Sequence, residues 1–380
     1  MGGPKPGEAK VSEIALRERK MRVGLTLFGE SLSRAGARFA AQLGIRDVVI
    51  HLVRYGQNAD PSDWLKGQPG PPLSEDFGAP LWDYETLSDV VKMLAADGIR
   101  VAALENLSPS FWSDILLNGP DRVRQMDGLK RLVRDCGRAG IPVIGYNFSL
   151  AGVWGWQRQP IARGGAMATT FDMSRFDHDR PIPDGVVWNM RVREDRGLGP
   201  VTCSEEELWQ RLEWFLKELV PVAEDAGVVL AAHPDDPPAD MLRGAARLVN
   251  RPEKYDRLLS VIDSPSNAMQ FCVGSLMEMP GDVYETTRHY ARTGRIAYVH
   301  FRNVKGKVPR YAEAFIDDGD TDMSEIARIL HVEGYDGVLV PDHIPEISCP
   351  APWHVGMAHA VGYMNALLKT APRLSVPQMS

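Results

Sequence analysis

Cysteine is scarce in this chain. Its 380 residues hold four, Cys136, Cys203, Cys272 and Cys349, and no two stand in a Cys-x-x-Cys spacing. So few and so scattered, they are not a disulfide framework. Long hydrophobic runs are missing too. The apolar stretches fall well short of the ~20 residues that bridge a bilayer, so no membrane span is expected. No dense Lys/Arg block occurs, and 43 basic residues against 50 acidic ones leave a net charge of −7. Nothing in that balance asks for a nucleic-acid partner, whereas a few local arginines can still bind a small anionic substrate. The opening stretch, MGGPKPGEAKVSEIALRERK, lacks the apolar centre of a secretory signal. It reads as a flexible lead-in over residues 1–20. Pro6 stands where N-myristoylation expects Ser or Thr. These absences together predict a cytoplasmic protein.

What the chain does have is an ordinary globular composition, 44% hydrophobic and 24% charged. Short apolar runs alternate with amphipathic segments. The runs are 22–29, 46–53, 100–106, 142–148, 228–234, 268–273, 296–304 and 337–343. Most are continuous Val/Ile/Leu/Ala stretches, as parallel strands covered on both faces require. Between them, segments 84–97, 122–139, 205–226, 283–293, 323–332 and 354–370 carry apolar residues at three- and four-residue spacing, the mark of helices. Gly98, Gly140, Gly227 and Gly334 follow four of these helices, where glycine caps a helix end without a Cβ penalty. Eight such units, with no Gly-rich dinucleotide loop after the first strand, predict a (β/α)8 TIM barrel over residues 21–372 and a tail over 373–380. Long loops are expected on its C-terminal face. Two insertions, Asn58–Trp82 and Ser149–Ser204, interrupt the rhythm after strands and so belong to that face, where long loops act as lids.

The chemistry lies at strand ends. The last four runs end in His233, Cys272, His300 and Asp342. In a barrel, consecutive strand ends ring the mouth, so residues remote in sequence converge there. Each has a plain reading alone: an apolar-run cysteine is usually core, and Asp342 could cap a turn. As a set on four successive strands, they predict a metal site. Two imidazoles, a thiolate and a carboxylate suit Zn²⁺, Mn²⁺, Fe²⁺ or Co²⁺ better than Mg²⁺ or Ca²⁺. The turn His233-Pro234-Asp235-Asp236 offers Asp235 or Asp236 to orient a ligand. His343, beside Asp342, is a candidate acid or base, provided the strand bends to turn it inward. The acidic segment 315–323 lacks the register of a calcium loop and reads as a solvated or substrate-facing loop.

Several motifs carry a family resemblance. These are Glu105 in VAALEN, GYNF at 145–148 followed by Trp156-Gln157-Arg158, GAMATTF at 165–171, HPDDPP from His233, FCVGS around Cys272, HFRNV from His300, DDGDTDM to Met323 and PDH ending at His343. From about Arg22 to Leu368 the chain resembles the mannonate dehydratase family of the xylose-isomerase-like barrels. The resemblance implies that His233, Cys272, His300 and Asp342 bind Mn²⁺, with Fe²⁺ or Co²⁺ as substitutes. It implies conversion of D-mannonate to 2-dehydro-3-deoxy-D-gluconate, with His343 moving a proton. Glu105, Asn147, Trp156, Arg158, Asp235, Arg302 and Asn303 are the expected substrate contacts, and a homo-oligomer the expected assembly. A metal-dependent isomerase or epimerase, or a sugar-acid-binding paralogue, are the alternatives. One departure stands out: where the family has a Gly-Tyr-Gly-Leu-Tyr type segment, with its second Tyr implied in proton transfer, this chain reads Ala351–His359 and places Met357 at that Tyr.

Overall fold

The protein was analysed as a computed structural model that describes residues 21–54, 76 and 78–374. The lead-in over 1–20, most of the first insertion and residues 375–380 of the tail lie outside the described residues.

Eight parallel strands close into a barrel, all at the predicted runs. They are β1 (Arg22–Phe28), β2 (Asp47–His51), β3 (Arg100–Glu105), β4 (Val143–Tyr146), β7 (Val229–Ala232), β8 (Asn267–Cys272), β9 (Ile296–His300) and β12 (Val338–Val340). Their order around the barrel is β1-β12-β9-β8-β7-β4-β3-β2. Helices α2 (Tyr84–Ala95), α4 (Arg122–Ala139), α5 (Glu205–Ala226), α8 (Val283–Ala291), α9 (Met323–Val332) and α10 (Pro352–Leu374) form the outer layer as predicted. Four shorter helices were not expected: α1 (Arg34–Gln42), α3 (Pro109–Leu117), α6 (Lys254–Val261) and α7 (Val273–Glu278). The four capping glycines all adopt positive φ, from 66° at Gly227 to 82° at Gly334. Helix α5 shows how the pattern works. Ser204 and Glu207 close a capping box at its start, and Leu208, Leu212, Phe215 and Leu219 bury one face.

Strand alternation sorts side chains between two cores. Val49, Ala103, Val143, Ala231, Tyr298, Val338 and Val340 pack together inside the barrel. Their neighbours Ile50, Leu104, Ile144, Leu230 and Leu339 point outward to the helices. With a period of two, the next inward position on each strand is its C-terminal end. That rule sets His51, Glu105, His233, Cys272, His300 and Asp342 in one layer at the mouth. The interior is crowded there: a Cβ on Gly145 would lie 2.3 Å from the Tyr298 hydroxyl.

The second insertion builds a cap. Strands β5 (Trp156–Ala162) and β6 (Ala166–Asp172) form a hairpin, joined by β10 (Asn303–Lys307) and β11 (Arg310–Ala314) into a four-stranded antiparallel sheet of order β10-β11-β6-β5. The single run expected over 296–304 is thus two strands. The chain leaves the barrel after His300, turns through Phe301-Arg302 and enters the cap at Asn303.

Candidate metal centre and active site

Three donors converge at the mouth. Ligand atoms of His233, Cys272 and His300 lie within 4.8 Å of one another. Asp342 joins them, its Oδ2 3.1 Å from His300 Nδ1. The two rings are aimed by their other nitrogens. His233 Nδ1 lies 2.6 Å from the Pro234 carbonyl, and His300 Nε2 lies 3.0 Å from Glu105 Oε2. Such partners fix which nitrogen is protonated and leave the opposite one to a metal. His300 Nδ1 is buried and makes no well-aligned hydrogen bond, its near neighbours being the Asp342 carboxylate and the Cys272 sulfur. A buried polar atom in that state is costly unless a ligand meets it.

The electrostatics favour a cation. Burial pushes the Cys272 thiol up, but the Arg302 guanidinium and hydrogen bonds with His233 and His300 hold it well below the ordinary thiol range. Burial likewise opposes the Asp342 charge, which His300, His343 and Arg302 stabilise. Cys272 further accepts from the Ser275 hydroxyl at 3.2 Å. A thiolate and a carboxylate beside two imidazoles form a donor set suited to a borderline transition-metal ion.

Behind the donors lies a buried ion network. Arg302, 1% exposed, reaches Asp236 at 2.5 Å, Glu278 at 2.9 Å and Asp342 at 3.2 Å. Asp236 also accepts from the Tyr311 hydroxyl at 2.8 Å, and Trp156 Nε1 donates to that hydroxyl at 3.1 Å. This chain of bonds ties the cap to the floor of the pocket.

His343 sits at the open edge of the centre. Strand β12 ends at Val340, so Asp342 and His343 lie in irregular chain and both turn inward, which regular alternation would forbid. His343 Nδ1 lies 2.8 Å from Glu313 on β11, and its ring meets Trp156 edge-on at 5.2 Å. Burial would lower this imidazole; Asp342 and Glu313 outweigh it and raise it to about 9. Its side chain stays 41% exposed, open to the pocket mouth.

The expected substrate contacts divide. Asn147 follows β4 half-buried, and Arg158 on β5 pairs with Glu346 at the rim. Trp156 lies against His343, and the other four are engaged with protein partners. Glu105 is buried and binds His51, Tyr298 and His300. Asp235 is spent on the Leu248 and Val249 amides and on Arg247. Arg302 is the centre of the ion network, not a free fork. Asn303 clamps the 316–321 loop through Ile316 and Thr321 carbonyls. That acidic loop keeps Asp317 and Asp320 exposed, and ion pairs hold it in place: Asp317 with Arg163 and Asp318 with Lys305. Met357 is 4% exposed within the outer core. Sequence reasoning passed over His51, Tyr311 and Glu313. The strand-end rule that found His233 would have found His51, while the other two arrive on a cap strand that rule does not cover.

A closed parallel barrel with these donors in its mouth layer offers a candidate metal site. The family model described as D-mannonate dehydratase (UxuA) matches residues 72–370. Mannonate dehydratase of Streptococcus suis strain 05ZYH33 is 30% identical over 293 residues, 69% of this chain and 74% of that protein. The Thermotoga maritima mannonate dehydratase is 29% identical over 288 residues, 69% of this chain and 78% of that one. The crystal structure of mannonate dehydratase from S. suis serotype 2 superposes with a TM-score of 0.72 at 26% identity, covering 93% of this chain and 96% of that one. A structure of L-ribulose 3-epimerase, at 16% identity and a TM-score of 0.54, shares the fold alone. The chain belongs to the D-mannonate dehydratase family and is a carbon–oxygen lyase.

Proposed function

We propose that this protein dehydrates D-mannonate to 2-dehydro-3-deoxy-D-gluconate, with one divalent cation, Mn²⁺ by preference, held by His233, Cys272, His300 and Asp342. The observation that carries this is the convergence of the His233, Cys272 and His300 ligand atoms within 4.8 Å, with Asp342 3.1 Å from His300 Nδ1, inside a barrel of this family. When bound, such a cation supplies Lewis acidity toward the charge that builds on the substrate carboxylate.

The chain's own residues do the rest. The C2–H bond breaks and its proton goes to a base. The C2 electron pair forms the C2=C3 bond as the C3 hydroxyl leaves with a proton as water, and the enol becomes the 2-keto acid. His343 carries one of these protons, its ring fixed by Glu313 and its exposed edge toward the mouth. Trp156 walls the pocket beside it. Asn147 and Arg158 hold hydroxyl and carboxylate groups from the rim, the guanidinium being suited to a planar anion. Four free cysteines are in keeping with a reducing, cytoplasmic setting.

The test is direct: Mn²⁺-loaded protein is incubated with D-mannonate and assayed for a 2-keto-3-deoxy acid. Its appearance supports the reading. A ketose or an epimer in its place would overturn it in favour of an isomerase or epimerase.

A further inference from the structure

Dehydration moves two protons on neighbouring carbons, and His343 accounts for one. We propose that His51 is a second catalytic residue, a proton carrier on the opposite side of the pocket mouth, oriented by Glu105. The inference rests on the dehydratase reading.

The chain has nine histidines. Five lie away from the mouth layer: His178 in the second insertion, His289 on α8, His331 on α9, and His354 and His359 on α10. His233 and His300 belong to the donor cluster. That leaves His343 and His51 as imidazoles at barrel strand ends. Both are paired with a buried glutamate. His51 Nε2 lies 3.2 Å from Glu105 Oε1, as His343 Nδ1 lies 2.8 Å from Glu313.

Register shows that His51 faces inward. Ile50 pairs with Leu104, so His51 stands level with Glu105 on adjoining parallel strands. Glu105 reaches across the barrel to Tyr298 and His300, each at 3.0 Å, and neighbours at one level point the same way. A single carboxylate therefore separates His51 from the His300 donor. Its side chain is 15% exposed, and Phe28 packs against it at 6.1 Å. Glu105 holds the ring at this level, and an imidazole set beside a carboxylate at a pocket mouth is suited to general acid or base work.

His51→Gln tests this, with wild type and His343→Asn measured alongside. Three readouts are taken: steady-state kinetics on D-mannonate, bound metal by elemental analysis, and exchange of the C2 hydrogen in D₂O by NMR. Expected for His51→Gln is a kcat lower by about 10²–10⁴-fold, the usual worth of a positioned acid or base. KM and metal content should stay near wild type. Retained C2 exchange would make His51 the acid at C3, and lost exchange the base at C2; either supports the proposal. A kcat within about threefold of wild type refutes it, as does a loss that merely tracks lost metal. If the wild type makes no keto acid, the dehydratase reading falls and takes this inference with it. If the wild type is active and His51→Gln equals it, only this inference falls.

Discussion

Replacing Arg302 by Met should be among the most damaging single changes to this protein. The side chain is 1% exposed and holds Asp236, Glu278 and Asp342 at 2.5, 2.9 and 3.2 Å. Methionine fills similar space but leaves Asp236 and Asp342 without that counter-ion, and takes a hydrogen-bond donor from Glu278, which burial and Asp236 raise well above the usual carboxylate range. Breaking a buried pair by removing one partner costs about 3–5 kcal/mol, a shift of about 10²–10⁴ in the unfolding equilibrium. The pH dependence has a definite sign. Burial would raise Asp236, and Arg302 leads the groups that hold it below its usual value. A depressed carboxylate stabilises the fold above the ordinary carboxylate range, and that contribution is lost as pH falls through its folded pKa. Without Arg302, burial dominates, Asp236 rises, and the charged form becomes a penalty near neutrality. The deficit should therefore be largest near neutral pH and shrink toward about pH 5 as the carboxylates protonate. Urea titrations of both proteins in chelator, at the two pH values, measure it. Bound metal should fall too, because Asp342 loses the guanidinium that steadies it. A deficit under about 1 kcal/mol, or one that grows on acidification, would refute the argument.

Other substitutions probe the same machinery. Cys272→Ala should lower metal content in elemental analysis, and full occupancy would mean that the thiol is only core. His343→Asn should reduce kcat by about 10²–10⁴-fold with metal retained; unchanged turnover removes it as a proton carrier. Gly145→Ala places a methyl 2.3 Å from the Tyr298 hydroxyl and 2.8 Å from Gln270 Oε1. Overpacking of this kind costs about 1–3 kcal/mol, and denaturation with metal assay should show loss of both stability and binding.

The barrel was legible because its strands are buried on both faces, which writes them as apolar runs, and because glycine marks helix ends. The donors were legible for a geometric reason: strand ends of a closed barrel share one layer, so His233, Cys272, His300 and Asp342 could be grouped without knowing any distance. What stayed hidden depends on long-range pairing. Strands β5 and β6 have mixed, half-exposed faces, and β6 finds its partner β11 with Arg310 opposite Asp172. No local pattern announces that. Arg302, a substrate contact by the resemblance, is instead carried by the turn after His300 into the buried ion network. Helix α7 escapes notice because its six residues, VGSLME, follow the apolar run of β8 without a break and are too few to show a helical period.

The cap sheet also has a consequence for assembly order. Its ladder joins segments far apart in the chain, Arg310 opposite Asp172 and Thr170 opposite Ala312, which the closed barrel brings together. Closing so long a loop before the barrel exists would cost entropy with little return. A chain halted with its barrel formed and its cap open would have its donors in place yet lack Glu313 beside His343. Metal capture and turnover would then mature at different moments of folding, and during refolding bound metal should reach its plateau before activity does.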